Sequence, residues 1–266
     1  MNKQLNLWKE QSDDNKLLIA KLLDKIKFTK NKNKFETTDF LDLREQAILT
    51  EEINRIKFEQ YKLWGGYDNS ERKIILLFPE KIELDYIDNT VFDQFLTIIR
   101  VKLPNELKGQ LEHRNYLGGL MKLGIKRDKI GDIIVRDDGA DIIVKNEISE
   151  YIKNNIQSLS RFKKSIIEVK KIEELILVEP KKEIFKINVP SMRLDCFIGE
   201  LVRCSRNEAN TYLKEERIFV NFKEEIKSSK IIKEGDYITI RGKGRFKINR
   251  IIGNTKSGRI SVEVEK

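Results

Sequence analysis

Residues 191–195 read SMRLD and residues 205–210 read SRNEAN, and each stretch opens a predicted helix. Apolar residues follow the first stretch at helical spacing and form one stripe: Leu194, Phe197, Ile198 and Leu201. Ser191 is the predicted N-cap of the first helix, and Ser205 with Glu208 three residues later predicts a capping box for the second. The sequence therefore predicts a pair of short helices that organises the last third of the chain.

Residues 237–248 alternate with period two, which is typical of a β-strand. One face is apolar or glycine, and the other carries a row of four cations: Arg241, Lys243, Arg245 and Lys247. Because no acidic residue interrupts this row, we favour contact with phosphate over plain solvation of a strand. Arg193 and Arg206 lie near the starts of the two helices, where backbone N–H groups and guanidinium forks both suit phosphate oxygens.

The net charge is concentrated in the same part of the chain. Residues 186–266 contain 18 Lys and Arg against 11 Asp and Glu, a net of +7 out of the +9 of the whole chain. The other residues hold 34 against 32, a net of +2. This asymmetry indicates a polyanionic partner for the C-terminal third.

The C-terminal pattern resembles S4 domains, small RNA-binding modules in which a helix pair lies against a small antiparallel sheet. The matching positions are Arg193, Leu194, Asp195, Ser205, Arg206, Ala209, Val220, Asn221, Gly235 and Asp236. Two positions depart from the pattern, since S4 domains usually have glycine where this chain has Arg217 and Phe222. Either Arg217 acts as a second-best helix cap or the turn differs.

Stretches outside this module resemble the YlmH family of bacterial S4-domain proteins. They are DFLDLREQ at 39–46, GGY at 65–67, HRNYLGGLMKLGIKR at 113–127 and GDI at 131–133. The resemblance covers nearly the whole chain. It implies a central RNA-binding domain, and binding to rRNA on the large (50S) ribosomal subunit during the rescue of stalled ribosomes that still carry peptidyl-tRNA.

The residues that we expect to contact RNA come from the helix pair, the turns and the basic strand. They are Arg193, Arg203, Ser205, Arg206, Asn210, Lys214, Arg217, Asn221, Lys223, Arg241, Lys243, Arg245 and Lys247. A second RNA surface is predicted around the 113–129 block: His113, Arg114, Lys122, Lys126, Arg127 and Lys129. The alternative for this block is the ordinary solvation of a helix and a capped turn.

The predicted fold class is α+β with three regions: 1–66 helical, 67–178 central α+β and 179–266 linker plus S4 domain. In the first region we predict a helix around 17–23, a loop at 29–34 and a helix from Thr38-Asp39 to about Phe58.

In the central region the order strand 95–101, helix 112–123, hairpin 130–144, helix from 148 and strand 165–169 suggests a split βαβ unit. Another strand is predicted at 73–78, and residues 179–190 read as a linker or as a strand leading into the last domain. The unit lacks the aromatic pair that stacks bases in RNA-recognition domains of this type.

Other chemistries find little support in the sequence. His113 has no Ser, Cys or carboxylate at motif spacing, so a catalytic role is disfavoured. Cys196 and Cys204 form no zinc motif and are predicted to be core thiols, and Gly242-Lys243-Gly244 is not a phosphate-binding loop. Neither a cofactor nor a metal is expected.

The start of the chain has no run of signal-peptide length, and no stretch is apolar enough to span a membrane. We therefore expect a cytoplasmic monomer that binds RNA and neither DNA nor membrane. Two other functions stay open. One is an RNA-modifying enzyme such as a pseudouridine synthase, and the other is a protein-binding scaffold linked to cell division.

Overall fold

The computed structural model describes residues 13–178 and 183–266, which belong to two compact units that divide between Val178 and Glu179. Helices and antiparallel sheets occur in both units, so the predicted α+β class is confirmed. The prediction about a signal peptide at the start of the chain lies outside the described residues. No helix in the described ranges is long and apolar enough to cross a membrane.

Two helices and a small sheet form the first part of the first unit. Helix α1 spans Asp13–Lys32, strand β1 spans Glu36–Thr37 and helix α2 spans Leu43–Ile56. The loop predicted at 29–34 is wrong for most of its length, because buried Thr29 continues the apolar stripe of α1 into its last turn. The predicted start of α2 is also wrong: Asp42 caps it through a capping box with Glu45.

The small sheet pairs strands from both sides of residue 66. Strand β2 spans Tyr61–Trp64 and strand β3 spans Ile74–Leu77, and the sheet order is β1-β3-β2. The region boundary predicted at residue 66 thus falls between two paired strands. Strand β3 is buried throughout, with α1 and α2 against one of its faces.

The rest of the first unit has the predicted split βαβ topology. After the single-turn helix α3 (Asn89–Phe92) come β4 (Leu96–Lys102), α4 (His113–Lys122), β5 (Ile130–Arg136), β6 (Gly139–Lys145), α5 (Ser149–Asn155) and β7 (Ile166–Lys170). The sheet is antiparallel with the order β5-β6-β4-β7. This βαββαβ arrangement confirms the prediction, and short 3₁₀ turns occupy several of its connections.

Both faces of this four-stranded sheet are covered. Ile99 and Val101 of β4 pack with α4 and α5 on one face. On the other face, Ile98 of β4 and Ile143 of β6 pack with Phe40 and Ile74 of the N-terminal part. The opposing N-terminal sheet therefore occupies the surface that a free-standing domain of this topology leaves open to solvent.

The second unit places a helix pair against a six-stranded antiparallel sheet. Its elements are β8 (Ile184–Val189), α6 (Leu194–Val202), α7 (Arg206–Lys214), β9 (Ile218–Val220), β10 (Lys223–Glu224), β11 (Tyr237–Ile240), β12 (Gly244–Asn254) and β13 (Ile260–Glu265). The sheet order is β10-β9-β11-β12-β13-β8. Of the two alternatives for residues 179–190, the described part forms the strand, because β8 pairs with β13.

Two predictions for this unit are corrected. The single strand predicted over 237–248 is a hairpin, because Arg241, Gly242 and Lys243 turn the chain back between β11 and β12. The predicted faces are still correct, because Tyr237 and Lys247 pair across the hairpin and therefore lie on the same face of the sheet. The N-cap of α6 is Arg193 rather than Ser191, so Ser191 lies outside the helix.

Candidate nucleic-acid interface

Two of the predicted arginines meet on one buried carboxylate. Asp195, whose side chain is 1% exposed, accepts two hydrogen bonds from Arg193, with Nε–Oδ1 at 3.0 Å and Nη2–Oδ2 at 2.8 Å. The guanidinium of Arg206 lies 3.1 Å from the same Oδ2 and is 71% exposed. Asp195 therefore fixes one arginine at the start of each helix.

The two arginines have different roles around Asp195. The hydrogen bonds from Arg193 are the largest influence that holds the pKa of Asp195 below its ordinary value, although burial opposes them, and Arg206 adds a smaller effect. Arg193 is thus part of the packing that keeps a buried carboxylate satisfied. Arg206 has most of its surface in solvent and is the arginine that can reach a phosphate without leaving a buried charge unpaired.

The other helix residues predicted to contact RNA also differ in whether their side chains are used inside the protein or exposed. Ser205 is confirmed as the N-cap of α7: its hydroxyl accepts from Glu208 N–H, and its own N–H donates to the Glu208 carboxylate at 2.8 Å. Its hydroxyl is therefore committed to the helix. Asn210 is half-buried on α7, and Lys214 is exposed in the last turn of the same helix.

Arg217 connects the end of α7 to the hairpin. Its Nη2 donates to the carbonyl of Arg241 at 3.0 Å, and its guanidinium lies 4.6 Å from the ring centroid of Tyr212. The left-handed residue after α7 is Glu216, with φ 54°, so the turn differs from a glycine cap at position 217. Arg217 consequently links α7 to the hairpin, and because its side chain is 36% exposed its predicted RNA contact stays a prediction.

A strained turn follows β9. Asn221 and Phe222 both adopt left-handed backbone conformations, with φ 49° and 66°, between the paired residues Val220 and Lys223. Such a two-residue turn prefers glycine at its second position, and a non-glycine residue costs roughly 1–3 kcal/mol there. Asn221 anchors the turn: its Nδ2 donates to Asp236 at 2.8 Å, and its Oδ1 accepts from the N–H of Tyr237 at 3.0 Å. Both polar atoms of the Asn221 side chain therefore have partners within the protein.

The basic residues of the hairpin lie over aromatic rings on the sheet face turned away from the helices. Three cation–ring pairs occur, with distances to the ring centroid of 4.8 Å for Arg241 and Phe219, 5.5 Å for Arg245 and Phe222, and 5.8 Å for Lys247 and Tyr237. Phe222 and Tyr237 also contact each other, with ring centroids 5.4 Å apart. We call these six residues the cation–aromatic face.

The hairpin tip is held beside the end of α7. The N–H of Arg241 donates to the carbonyl of Arg217 at 2.9 Å, and Arg217 Nη2 donates to the carbonyl of Arg241 at 3.0 Å. Lys243 is exposed at this tip. Exposed Arg206 lies at the opposite end of α7, so each end of the helix has an exposed cation close to it in the chain or across these hydrogen bonds.

Arg203 and Lys223 lie apart from these groups. Arg203 is the left-handed C-cap of α6 and lines a cleft of about 670 Å³ with Glu200, Arg259 and Lys266. Lys223 is exposed on the edge strand β10. The structure thus groups the hairpin cations with their aromatic partners, and it leaves these two predicted residues in other surroundings.

The second surface predicted around 113–129 is only partly basic. Lys129 bridges two carboxylates, with Asp39 at 2.6 Å and Glu147 at 2.7 Å, so its charge is neutralised internally. Arg127 donates to the carbonyls of Ile130 at 2.6 Å and Gly131 at 3.2 Å. Burial and then the neighbouring Arg72 lower the pKa of Arg127 to about 10. Lys129 and Arg127 are therefore engaged inside the first unit, and their predicted contact with RNA stays a prediction.

The exposed residues of that block are few. His113 begins α4, and its pKa is lowered by partial burial and then by the charge of Arg127. Arg114 is 81% exposed and lies 3.0 Å from Glu112. Lys122 and Lys126 are exposed at the other end of the helix. Because α4 separates these two groups, they do not form one cation cluster.

The covered sheet face in the first unit restricts what its split βαβ part can bind. Domains of this topology that read RNA stack bases on the sheet face opposite their helices. In this chain that face carries the buried ion pair of Arg100 and Asp141 and the buried amine of Lys145, which hydrogen-bonds Thr37 at 2.5 Å. A base has no access to this face while the N-terminal part is packed on it.

Sequence reasoning missed the aromatic half of the cation–aromatic face. Phe219 stands between two buried strand residues, and Tyr237 opens the alternating stretch, so both could be assigned to the outer face by period two. In the sequence, Phe222 stands out only as a departure from the glycine usual in S4 domains. Its position next to Tyr237 depends on the Asn221 anchor, which the sequence does not show.

Metal chemistry finds no support in the described ranges, where no group of three or more His, Cys, Asp or Glu residues could hold an ion. Cys196 and Cys204 are free and half-buried, and both pack against the core of the second unit, as predicted for core thiols.

Comparison with known proteins agrees with this architecture. Residues 91–174 match the family model described as "Putative RNA-binding domain in YlmH". The chain is similar to "Ribosome-associated protein quality control protein P2" of Bacillus subtilis (strain 168), with 31% identity over 255 residues and 95% of each chain covered.

A solved structure, "Cell division protein ylmH from Streptococcus pneumoniae", shares the fold with a TM-score of 0.50 and 18% identity. The match covers 63% of this chain and 97% of that one. Because the curated relative is aligned over nearly the full chain and the family model covers the split βαβ part, this chain belongs to the YlmH family.

Proposed function

We propose that this chain is a non-enzymatic RNA-binding protein that binds structured rRNA on the large ribosomal subunit, with its second unit as an S4-type module. We further propose that it acts in the cytoplasm as a monomer, in the quality control of stalled complexes that retain peptidyl-tRNA. The relative from Bacillus subtilis carries a name from ribosome-associated quality control, which supports this setting.

The observation that carries the proposal is that the second unit exposes Arg206 at the start of α7 and two cations at its hairpin tip. Arg206 stands where the N–H groups of the helix start favour an anion. Arg241 and Lys243 are exposed at the hairpin tip, which hydrogen bonds between Arg217 and Arg241 hold beside the end of α7. An arginine at a helix start and a row of cations in the same unit suit the phosphates of a folded RNA.

The first unit has a different role in this proposal. Its base-stacking face is covered, and two of its predicted cations are used internally. We propose that RNA contact here is confined to exposed residues such as Arg114, Lys122 and Lys126, which surround α4 without forming a continuous surface. The second unit would then supply most of the affinity.

Sedimentation tests this function. Purified protein is mixed with small subunits, with large subunits and with whole ribosomes, and each mixture is run on a sucrose gradient at low and at higher salt. We expect selective comigration with large subunits that weakens as salt rises, because phosphate contacts release counterions. Absence from every particle would contradict a ribosomal role. Comigration that is insensitive to salt would indicate a protein-binding scaffold.

A further inference from the structure

The cation–aromatic face has features that phosphate binding alone does not require. Phe222 occupies a left-handed turn position, with φ 66°, at which glycine would be free of strain. Its ring is only half-buried, and it contacts Tyr237 rather than the core beneath the sheet. A strained aromatic residue that contributes nothing to the core suggests a use for its ring at the surface.

The register of the sheet makes the face continuous. Phe219, Thr239 and Arg245 are cross-strand neighbours on one row, and Tyr237 pairs with Lys247 on the next. Neighbouring strands lie about 4.8 Å apart, and successive rows about 7 Å apart. Rings and cations therefore lie within contact distance of each other across β9, β11 and β12. The carboxylates of Glu224 on β10 and Glu265 on β13 stand at the ends of these two rows.

We propose that this face is a stacking platform for unpaired nucleotides of the bound RNA. The bases would stack on Phe222 and Tyr237, and the phosphates beside them would meet Arg241, Arg245 and Lys247. Stacking on aromatic rings together with a cationic surface is how sequence-tolerant contact with single-stranded RNA is made. The inference rests on the proposed function and adds that the RNA ligand presents unpaired bases to the second unit.

An acidic peptide is the competing occupant, because it would also neutralise the three cations. The carboxylates of such a peptide would gain nothing from the flat faces of Phe222 and Tyr237, however, and would not account for an aromatic residue in the strained turn. The alternation of rings with cations thus favours a ligand that carries both planar groups and negative charges.

The Phe222→Gly variant provides an unusually clean test, because glycine relieves the left-handed strain at this position. The fold should be as stable as the wild type, so any loss of binding reports on the ring. A second variant, Tyr237→Ser, removes the other ring. Tyr237→Phe keeps that ring, and Tyr86→Ala removes an aromatic side chain that is 73% exposed in the first unit.

Binding is measured by fluorescence anisotropy with two RNA probes: a hairpin with an unpaired loop that carries a fluorescent adenine analogue, and a blunt duplex of the same stem. We expect Phe222→Gly and Tyr237→Ser each to weaken binding of the loop RNA about 5- to 100-fold and to leave duplex binding unchanged. The analogue should be quenched by the wild type and by both controls, Tyr237→Phe and Tyr86→Ala.

Three outcomes would overturn the platform. One is wild-type affinity of Phe222→Gly for the loop RNA, another is equal loss on both probes, and the third is displacement of the loop RNA by oligoglutamate without any effect of the ring variants. The Arg206→Glu variant is measured beside them to separate this failure from failure of the proposed function. If Arg206→Glu weakens both probes while the ring variants do not, RNA binding stands and only the platform is wrong.

Discussion

Arg193→Glu is expected to destabilise the second unit strongly, whereas Arg206→Glu should leave its stability unchanged and weaken RNA binding. The first change sets a second carboxylate against Asp195, whose side chain is 1% exposed and receives two hydrogen bonds from Arg193. Removing the main partner of a buried charge is among the most damaging single substitutions. We expect its thermal midpoint to fall by about 10 °C or more.

Arg206 makes only the outer contact to Asp195 and is 71% exposed, so a substituted side chain can turn into solvent. Losing one charge-assisted contact should weaken binding to large subunits about 10- to 100-fold at low salt. Circular dichroism melts and binding titrations are run on both variants, with Lys21→Glu on α1 as the control of equal charge change. Arg206→Gln serves as a milder version.

Equal melting temperatures of the two charge-reversal variants would contradict the different roles assigned to Arg193 and Arg206. Wild-type affinity of a folded Arg206→Glu would remove Arg206 from the interface. These results separate a residue that supports the fold from one that touches RNA, although both stand at helix starts and look alike in the sequence.

Asp141→Ala is expected to destabilise the first unit by about 3–5 kcal/mol, because it leaves buried cations without their partner. Asp141 is fully buried and accepts two hydrogen bonds of 2.8 Å from Arg100 and one of 3.0 Å from the N–H of Ile176, and Arg136 Nη1 lies 2.9 Å from it. Urea unfolding at neutral pH measures the loss. As a control, Asp68→Ala changes an exposed carboxylate of the same unit.

The effect should depend on pH with a definite sign. Burial would raise the pKa of Asp141, but Arg100, the N–H of Ile176 and Arg136 together hold the pKa below its ordinary value. A depressed carboxyl pKa contributes stability above the ordinary Asp value of about 4, and that stability is lost as the pH falls through the lowered pKa. The wild type and Asp141→Ala should therefore converge in stability on acidification. A constant difference down to low pH would contradict this explanation.

Much of the fold could be predicted because local signals and tertiary packing agree. The Ser205–Glu208 capping box and the split βαβ order are examples, since each follows from residue spacing alone. The prediction failed where a distant element decides the outcome. Thr29 lies in a stretch typical of a loop, but its burial extends α1. The residues of 237–248 alternate as in one strand, but the chain turns at Arg241–Lys243 and forms a hairpin.

The candidate site was harder to predict because residues of the same type have different surroundings in the folded protein. Lys129 and Lys243 are both lysines in basic stretches, yet the first bridges Asp39 and Glu147, and the second is exposed at a hairpin tip. Their partners are far away in the sequence. A charge pattern therefore identifies a basic region, but only the structure separates internal ion pairs from free surface.

The most direct test of the account is the salt dependence of affinity for isolated large subunits, compared between the wild type and a variant in which Arg241, Lys243 and Arg245 are all glutamine. Each lost phosphate contact lowers the slope of log K against log salt by about 0.7–0.9, so the triple variant should lose about 2 to 3. A control variant, in which Lys21, Lys27 and Lys32 of α1 are glutamine, has the same net charge and should keep the wild-type slope. An unchanged slope in the hairpin variant, or the same loss in the control, would contradict the claim that the second unit binds RNA through its basic hairpin.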